Sequence, residues 1–285
     1  MAVRKADFAG SWYPASPDKC RREIERYEER ARELSVRPEK AIGGIVPHAG
    51  WYYSGEIGCN VLKSLQTWSS PETVVIFGMH LGPTGDHVIM VEGEWETPFG
   101  NVEIDEALSS ELVKSFRFVK ETPFVHGMDN TIEVQLPFVK YFFPRSRILP
   151  VGVASRSEAL EIGEKVADLV MEGGLEVVVI GSTDLTHYGP NYGFTPKGTG
   201  EQAARWVKEN NDKRMTDLMV QMDASAMLEE GQASQNACCV GAAAAAVAAV
   251  KKLGGRSGEL LIYRTSYDIE PHTSFVGYAG VVYYR

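Results

Sequence analysis

The sequence predicts an α/β protein, a three-layer α-β-α sandwich with a central mixed, largely parallel sheet. Short runs rich in Val and Ile have the length and composition of buried strands, and amphipathic stretches of helical period separate these runs along the chain. Strands that alternate with helices in this way form a largely parallel sheet covered on both faces. Because α/β domains often reach this size, residues 1–285 are expected to form one domain.

Six runs are predicted to be strands and six of the remaining segments to be helices. The predicted strands are residues 41–46, 73–78, 148–153, 176–181, 259–264 and 275–284. The predicted helices are Pro17 to Leu34, Gly55 to Thr67, Asp105 to Phe116, Ile132 to Phe142, Ser155 to Met171 and Ala237 to Leu253. The last helix is rich in alanine, which favours helix and permits close packing, so we expect it to be buried.

Residues 88–104 carry the Thr-Pro and Gly-Asn pairs that mark turns, with apolar residues on either side. This pattern is typical of a hairpin. We expect it to add an antiparallel pair of strands at the edge of the sheet.

The overall charge of the chain excludes some classes of partner. The formal net charge is −9, whereas nucleic-acid binders concentrate Lys and Arg on one face. No stretch approaches the eighteen or so uninterrupted apolar residues of a membrane span, and no secretion signal opens the sequence. We therefore expect a cytoplasmic protein that binds neither nucleic acid nor membrane.

The four cysteines do not predict a disulfide scaffold. They lack CxxC or zinc-ribbon spacing, and adjacent cysteines seldom bridge each other without strain. Apolar packing is expected for some of them, and metal ligation or reactivity for one. The cysteines are Cys20, Cys59, Cys238 and Cys239.

Three histidines directly follow predicted strands. His48 comes after the first strand and His80 after the second, while Asp184 and His187 follow a later one. Loops at the carboxyl ends of strands converge on a crevice in open α/β sheets, so these side chains are expected to meet there. Glycine and proline around each histidine permit sharp turns and close approach to a ligand. A structural role in local hydrogen bonding is the alternative for any single histidine.

A divalent ion between His48 and His80 needs a third ligand. Cys238 is the candidate, because the alanine-rich helix begins near it and a helix N-terminus favours the thiolate. Cys239 is the rival ligand, and an inert buried thiol is the alternative for either. In the loop after the later strand, His187 is predicted to be a general acid or base with Asp184 beside it.

Further side chains are expected near this cleft. Trp12, Trp51 and Tyr52 are predicted substrate contacts, with ordinary packing as the alternative. Glu133 is predicted to be a cleft residue that fixes a histidine tautomer, although it also fits a helix-start glutamate stabilised by the helix dipole. Asn130 is predicted to hydrogen-bond in the cleft. Surface positions are expected for His87 and His126, whereas an approach to the cleft is considered for His272, which is not counted among the site residues.

Six motifs in fixed order resemble the Memo family, of the type called protein B of the AmmeMemoRadiSam system. They are FAGSWYP at 8–14, PHAGWYYSG at 47–55, GMHLGP at 78–83, IEVQLPF at 132–138, STDLTHYGPNYG at 182–193 and NACCVGAAAAA at 236–246. That family is similar in fold to the class III extradiol ring-cleaving dioxygenases. The resemblance implies metal ligands at His48, His80 and Cys238, with His187 and Asp184 moving protons.

Two departures from the family pattern bear on the chemistry. Cys239 stands where the family has glycine after its cysteine, and Asp129, Asn130 and Thr131 stand where it commonly has Glu-His-Ser. Asn130 can hydrogen-bond but cannot take up a proton. A thiolate in place of the dioxygenases' carboxylate ligand also alters metal preference.

The first functional hypothesis is a metal-dependent redox protein that uses non-haem iron or copper rather than zinc. A small-molecule or peptide binding module that uses the same cleft is one alternative, and a metal-assisted hydrolase is another. The resemblance also implies a partner in a radical-SAM pathway. The substrate stays open, because similarity of fold does not transfer a reaction.

Overall fold

The computed structural model describes residues 1–35 and 38–285. Its strands are β1 (Val3–Arg4), β2 (Ala41–Val46), β3 (Thr73–Gly78), β4 (His87–Met90), β5 (Glu94–Trp95), β6 (Val102–Glu103), β7 (Phe118–Glu121), β8 (Arg147–Gly152), β9 (Val177–Ser182), β10 (His187–Tyr188), β11 (Ser257–Thr265) and β12 (Phe275–Tyr284).

The helices alternate with these strands through most of the chain. They are α1 (Pro17–Glu28), α2 (Trp51–Trp68), α3 (Glu106–Leu112), α4 (Asn130–Glu133), α5 (Leu136–Phe142), α6 (Glu158–Gly173), α7 (Glu201–Trp206), α8 (Asp212–Gln221), α9 (Ala224–Ser234) and α10 (Val240–Lys252). A π-helical turn, Val207–Asn211, joins α7 to α8. Within the described ranges, no helix combines the length and apolar character that a membrane span requires.

The central sheet has nine strands and is mixed but largely parallel. Its order is β10-β12-β2-β9-β3-β8-β4-β7, and β11 also pairs with β12. The four middle strands β2, β9, β3 and β8 run parallel, while β12 and β4 are antiparallel to their neighbours β2 and β8. The predicted fold class is confirmed.

Helices cover both faces of the sheet, and each face has its own apolar core. Along β3 the side chains alternate between the two cores: Val75 and Phe77 pack on the face covered by α6 and α10, whereas Val74 and Ile76 pack on the face covered by α1, α2 and α5. Successive side chains of a strand point to opposite faces, so a strand buried on both sides must be apolar throughout. This explains the continuous Val and Ile runs of the sequence.

Helix α10 is buried, as the alanine content predicts, and lies very close to its neighbours. A Cβ on Gly163 of α6 would be 2.1 Å from the carbonyl oxygen of Ala245, and one on Gly181 of β9 would be 3.0 Å from the Cα of Ala243. Backbone approach of this kind leaves no room for large side chains. The alanine run is therefore a packing requirement at the centre of the molecule.

The structure corrects several predicted elements. Helix α1 ends at Glu28 rather than Leu34, and the predicted helix from Ile132 to Phe142 is divided into α4 and α5. The hairpin in residues 88–104 pairs β5 with β6, but these strands join β1 in a separate three-stranded sheet. Helices α7 to α9 were not predicted, because their buried side chains are mostly Ala and Met and give a weak apolar pattern.

We predict that Gly163→Ala destabilises the protein although alanine is the better helix former. The added methyl group would overlap the backbone of Ala245, and overpacking of this kind costs about 1–3 kcal/mol of unfolding free energy. Urea denaturation measures the change. Gly173→Ala in the same helix is the control, because its nearest neighbour is the movable side chain of Leu175 at 3.3 Å. Equal stability of both variants would contradict the packing argument.

Candidate metal centre

The parallel strands β2, β3 and β9 end at the same edge of the sheet, and the loops that follow them meet there. The loop after β2 carries His48, the loop after β3 carries His80, and the segment after β9 carries Asp184 and His187. Cys238 lies just before α10, and its backbone N–H donates to the carbonyl oxygen of Asp184. The fold therefore brings together the five residues predicted to carry the chemistry.

Three ligand atoms converge on one point. The Nε2 atoms of His48 and His80 are 3.1 Å apart, and the Sγ atom of Cys238 lies 3.2 Å from Nε2 of His48. Ligands at 2.0–2.3 Å from a tetrahedral ion are about 3.3–3.8 Å from one another. The separations are close to that range, and the donor set of imidazole and thiolate suits a transition metal rather than calcium or magnesium. The residues present thus fit a metal ion.

Ser182 fixes the tautomer of His48. Its hydroxyl donates to the carbonyl oxygen of Thr131 at 2.7 Å and lies 3.0 Å from Nδ1 of His48. With its only proton engaged, the hydroxyl is an acceptor toward the imidazole, so Nδ1 carries the hydrogen. Nε2 of His48 then presents its lone pair to the cluster. Ser182 was not predicted from the sequence, although this residue is the first of the motif at 182–193 that also contains Asp184.

Asp184 connects the loops of the cluster. Its Oδ1 atom accepts the backbone N–H of His48 at 2.8 Å, and its Oδ2 atom is 3.9 Å from Nε2 of the same residue. Burial alone would lower the pKa of His48, but the charges of Asp184 and Cys238 outweigh it and raise that pKa to about 9. The surroundings therefore stabilise positive charge, whether it is a proton or a metal cation.

The thiol of Cys238 is biased toward the thiolate. Burial opposes ionisation, but the hydrogen bond from Cys239 and the neighbouring imidazoles of His48 and His187 hold its pKa well below the ordinary value. Burial and the adjacent Cys238 raise the pKa of Cys239. Of the two rival ligands, Cys238 is the one whose thiolate this charge distribution favours.

His187 lies beside the cluster and lines the cleft, although its Nε2 atom is buried. Its side chain is 33% exposed, and its Nε2 atom is 3.8 Å from Oδ2 of Asp184. That distance exceeds a hydrogen bond, and Nε2 has no hydrogen-bond partner among the described residues. Burial alone would lower the pKa of His187, but Asp184 and Cys238 raise it to about 10. Its unpartnered nitrogen is thus buried beside the carboxylate of Asp184.

Met79 directs His80 toward the cluster through an unusual backbone conformation. Its φ of 70° lies in the left-handed region, which few residues other than glycine adopt. The hydroxyl of Thr131 accepts its N–H at 2.6 Å, and Gly152 leaves room for its side chain, since a Cβ there would lie 2.3 Å from the Met79 sulfur. Thr131 of α4 and Gly152 of β8 thus support a strained turn next to the candidate ligand His80.

The cluster lies in a cleft of about 470 Å³ whose walls are largely aromatic. Trp12, Tyr52 and Asn130 line it as the sequence predicts, and the side-chain amide of Asn130 donates to the carbonyl oxygen of His48 at 3.0 Å. Trp12 is 37% exposed and Tyr52 71% exposed, so both are available to a ligand. Three further aromatic residues that line the cleft were not predicted: Tyr53, Tyr192 and Tyr278.

Two predicted cleft residues have structural roles instead. Trp51 is buried, stacks on Phe138 with ring centroids 4.0 Å apart, and does not line the cleft. Glu133 does not contact a histidine. Its carboxylate accepts from the backbone N–H groups of Asp7 and Phe8 and from the hydroxyl of Tyr13, at 2.7–2.9 Å. It thereby anchors the N-terminal segment that carries the cleft residue Trp12.

The three remaining histidines lie outside the cleft. His126 is half-buried and His272 is exposed. The prediction of a surface loop is wrong for His87, which lies in β4 and is 1% exposed. Its Nδ1 accepts the N–H of Ala154 at 3.1 Å, and its Nε2 donates to Glu158 at 3.0 Å, so both nitrogens are used structurally.

A buried polar network supports the segment that contains His187. Asp212, which follows the π-helical turn, accepts from the backbone N–H and hydroxyl of Thr186 and from the hydroxyl of Tyr263. Burial is the main cause that raises the pKa of Asp212 to about 6. Single π-helical turns are frequent near functional sites, and here the turn directs a carboxylate at the loop of the candidate site.

Comparison with known proteins agrees with the motifs. The model of the Memo-like protein family matches residues 4–282. A MEMO1 family protein of Methanopyrus kandleri is 35% identical over 294 residues, with 99% of each chain covered. Another, from Pyrococcus abyssi, is 32% identical over 295 residues and covers 99% of this chain and 100% of its own length.

One solved structure extends the comparison to the fold. An uncharacterized protein from Escherichia coli K12 matches with a TM-score of 0.51 and covers 85% of this chain and 99% of its own. The sequence identity is 12%, so this likeness concerns the fold alone.

We predict that Ser182→Ala weakens metal binding about 10- to 100-fold, the usual effect of removing a group that orients a ligating histidine. Without the hydroxyl, His48 is free to carry its hydrogen on Nε2. Isothermal titration with a divalent metal measures the affinity. Ser109→Ala is the control, since Ser109 is equally buried and bonds only backbone carbonyls, far from the cluster in sequence. Equal affinities in both variants would contradict the tautomer assignment.

Asp212 predicts a pH dependence of stability. Folding raises the pKa of Asp212 from 3.8 to about 6. The stabilising contribution of Asp212 to the unfolding free energy is therefore fully present below pH 4 and is lost as the pH rises through 6. The unfolding free energy of the wild type relative to Asp212→Asn should therefore fall between pH 4 and pH 7, on the order of 3 kcal/mol. Denaturation at several pH values tests this, and a difference that rises with pH would refute it.

Proposed function

This chain belongs to the Memo-like protein family, and on that premise we propose that it is a metal-dependent enzyme whose ion lies between His48, His80 and Cys238. One observation carries the proposal: two imidazole nitrogens and a sulfur from three separate loops meet within 3.1–3.2 Å contacts at the base of an aromatic cleft. Burying these three polar groups together costs free energy. A bound cation would offset this cost by coordinating the two nitrogens and the sulfur at once.

The proposed activity is oxidation or reduction of a small molecule, with iron or copper as the ion. When bound, such an ion would supply electron transfer and polarise a substrate atom. His80 is the exposed member of the set, so the centre is reached from the cleft. A metal-assisted hydrolase would use the same residues, and the metal found in the protein separates the two reactions.

His187 is the proposed proton-transfer group. Its Nε2 atom faces the cluster without a partner, and Asp184, 3.8 Å away, stabilises its protonated form. A proton can therefore pass between Nε2 of His187 and a substrate atom held near the ion. A binding module would have no use for an unpartnered buried nitrogen at this place, and so the enzyme is favoured over the binder.

The walls of the cleft are proposed to select the substrate. Trp12, Tyr52 and Tyr192 offer flat, exposed aromatic surface, and no Lys or Arg is among the described residues that line the cleft. An anionic peptide would find no Lys or Arg side chain there. A small molecule with a planar, uncharged portion fits these walls better, because stacked rings favour it and exclude water from the ion.

We predict that His187→Gln keeps the metal but loses turnover, whereas His48→Ala and Cys238→Ala lose the metal. Elemental analysis of anaerobically purified protein measures metal content, and oxygen uptake with a reductant and catechol-like substrates measures turnover. General acid–base groups contribute about 10²- to 10⁴-fold to rates, so the loss should fall in that range.

Tyr284→Phe is a control remote from the cleft and should change neither quantity. Undiminished metal content in both His48→Ala and Cys238→Ala would refute the site. Turnover unaffected by His187→Gln would refute the role of that histidine. Stoichiometric zinc with hydrolysis but no oxygen uptake would replace the redox reaction by the hydrolase.

A further inference from the structure

We propose that Cys239 is a fourth protein ligand of the ion, so that the centre in this chain has two sulfur and two nitrogen ligands. The inference rests on the proposed function for His48, His80 and Cys238 and adds a residue to them.

The distances favour one shared ion. The Sγ atoms of Cys238 and Cys239 are 3.8 Å apart, which matches the separation of about 3.8 Å between two sulfurs that are each 2.3 Å from a tetrahedral ion. The four ligand atoms all lie within 4.8 Å of one another. A contraction of about 1 Å at the longest separation brings them within the range of a tetrahedral set.

The backbone holds both cysteines against the same loop. The N–H of Cys238 donates to the carbonyl oxygen of Asp184, and the N–H of Cys239 donates to the hydroxyl of Thr183, both at 3.1 Å. Adjacent residues usually direct their side chains apart. Here the two bonds fix the turn before α10 so that both sulfurs face the histidines.

The sulfur of Cys239 has little other opportunity for polar contacts among the described residues. The residue is 1% exposed, and Sγ of Cys238 is the single hydrogen-bond partner of its Sγ atom among the described residues. Cys20 and Cys59 are also buried and free, but they pack in the apolar core on the other face of the sheet. Cys239 is thus the one further thiol placed to reach the ion.

A fourth protein ligand changes the expected chemistry. Two thiolates and two imidazoles in a tetrahedron are typical of zinc, and soft sulfur ligands also select cuprous copper over ferrous iron. Four protein ligands fill a tetrahedral shell, whereas catalytic zinc sites keep one position open. A substrate atom would then have to displace a ligand or join as a fifth.

Cobalt(II) is used as a spectroscopic probe of the number of thiolate ligands. The metal-free protein is titrated with Co²⁺, and the near-ultraviolet sulfur-to-cobalt charge-transfer absorbance is recorded at saturation for the wild type, Cys239→Ala, Cys238→Ala and the control Cys59→Ala. We expect Cys239→Ala to bind Co²⁺ with about half of the charge-transfer absorbance of the wild type, because one of two thiolates is lost. Cys59→Ala should match the wild type.

Full charge-transfer absorbance in Cys239→Ala would overturn the fourth ligand and leave the three-ligand site of the proposed function intact. Absence of Co²⁺ and Zn²⁺ binding in the wild type would overturn both. X-ray absorption of the zinc-loaded wild type decides the matter even if the variant fails to fold. Two sulfur scatterers at about 2.3 Å support the inference, and one overturns it.

Discussion

The candidate site depends on a buried carboxylate. Asp184 is 4% exposed, and its charge is compensated by the N–H of His48 and by the imidazoles on either side of it. Its backbone oxygen also receives the N–H of Cys238. A buried charge is costly unless it is paired and hydrogen-bonded, so this residue forces three loops to approach one another. The same negative charge makes their meeting point favourable for a cation.

The rest of the molecule keeps those loops in register. Parallel strands place their carboxyl ends at one edge, and the buried cores on both faces of β3 hold the strands rigidly. Motifs outside the cluster then act as supports. Gln135 donates to the carbonyl oxygen of Pro47, beside His48, and Glu133 secures the segment that carries Trp12. The strongest motifs of the sequence are therefore either ligands or the residues that position them.

The donor atoms of the candidate site decide which ions suit it. A thiolate ligand from Cys238 would favour softer ions than a carboxylate does. Asn130 hydrogen-bonds to the carbonyl oxygen of His48 and cannot carry a proton. Within this cleft, His187 is the side chain to which we assign the proposed proton transfer.

The sequence by itself determined the fold class, the buried strands, the buried alanine-rich helix and the convergence of His48, His80 and Cys238, because strand and helix periods and the order of motifs are local properties of the chain. The tertiary structure decided which polar groups pair. It showed that Ser182 rather than Glu133 orients a histidine, that Trp51 packs in the core, and that His87 is buried in a strand. Those outcomes depend on contacts between residues far apart in sequence, which no local pattern encodes.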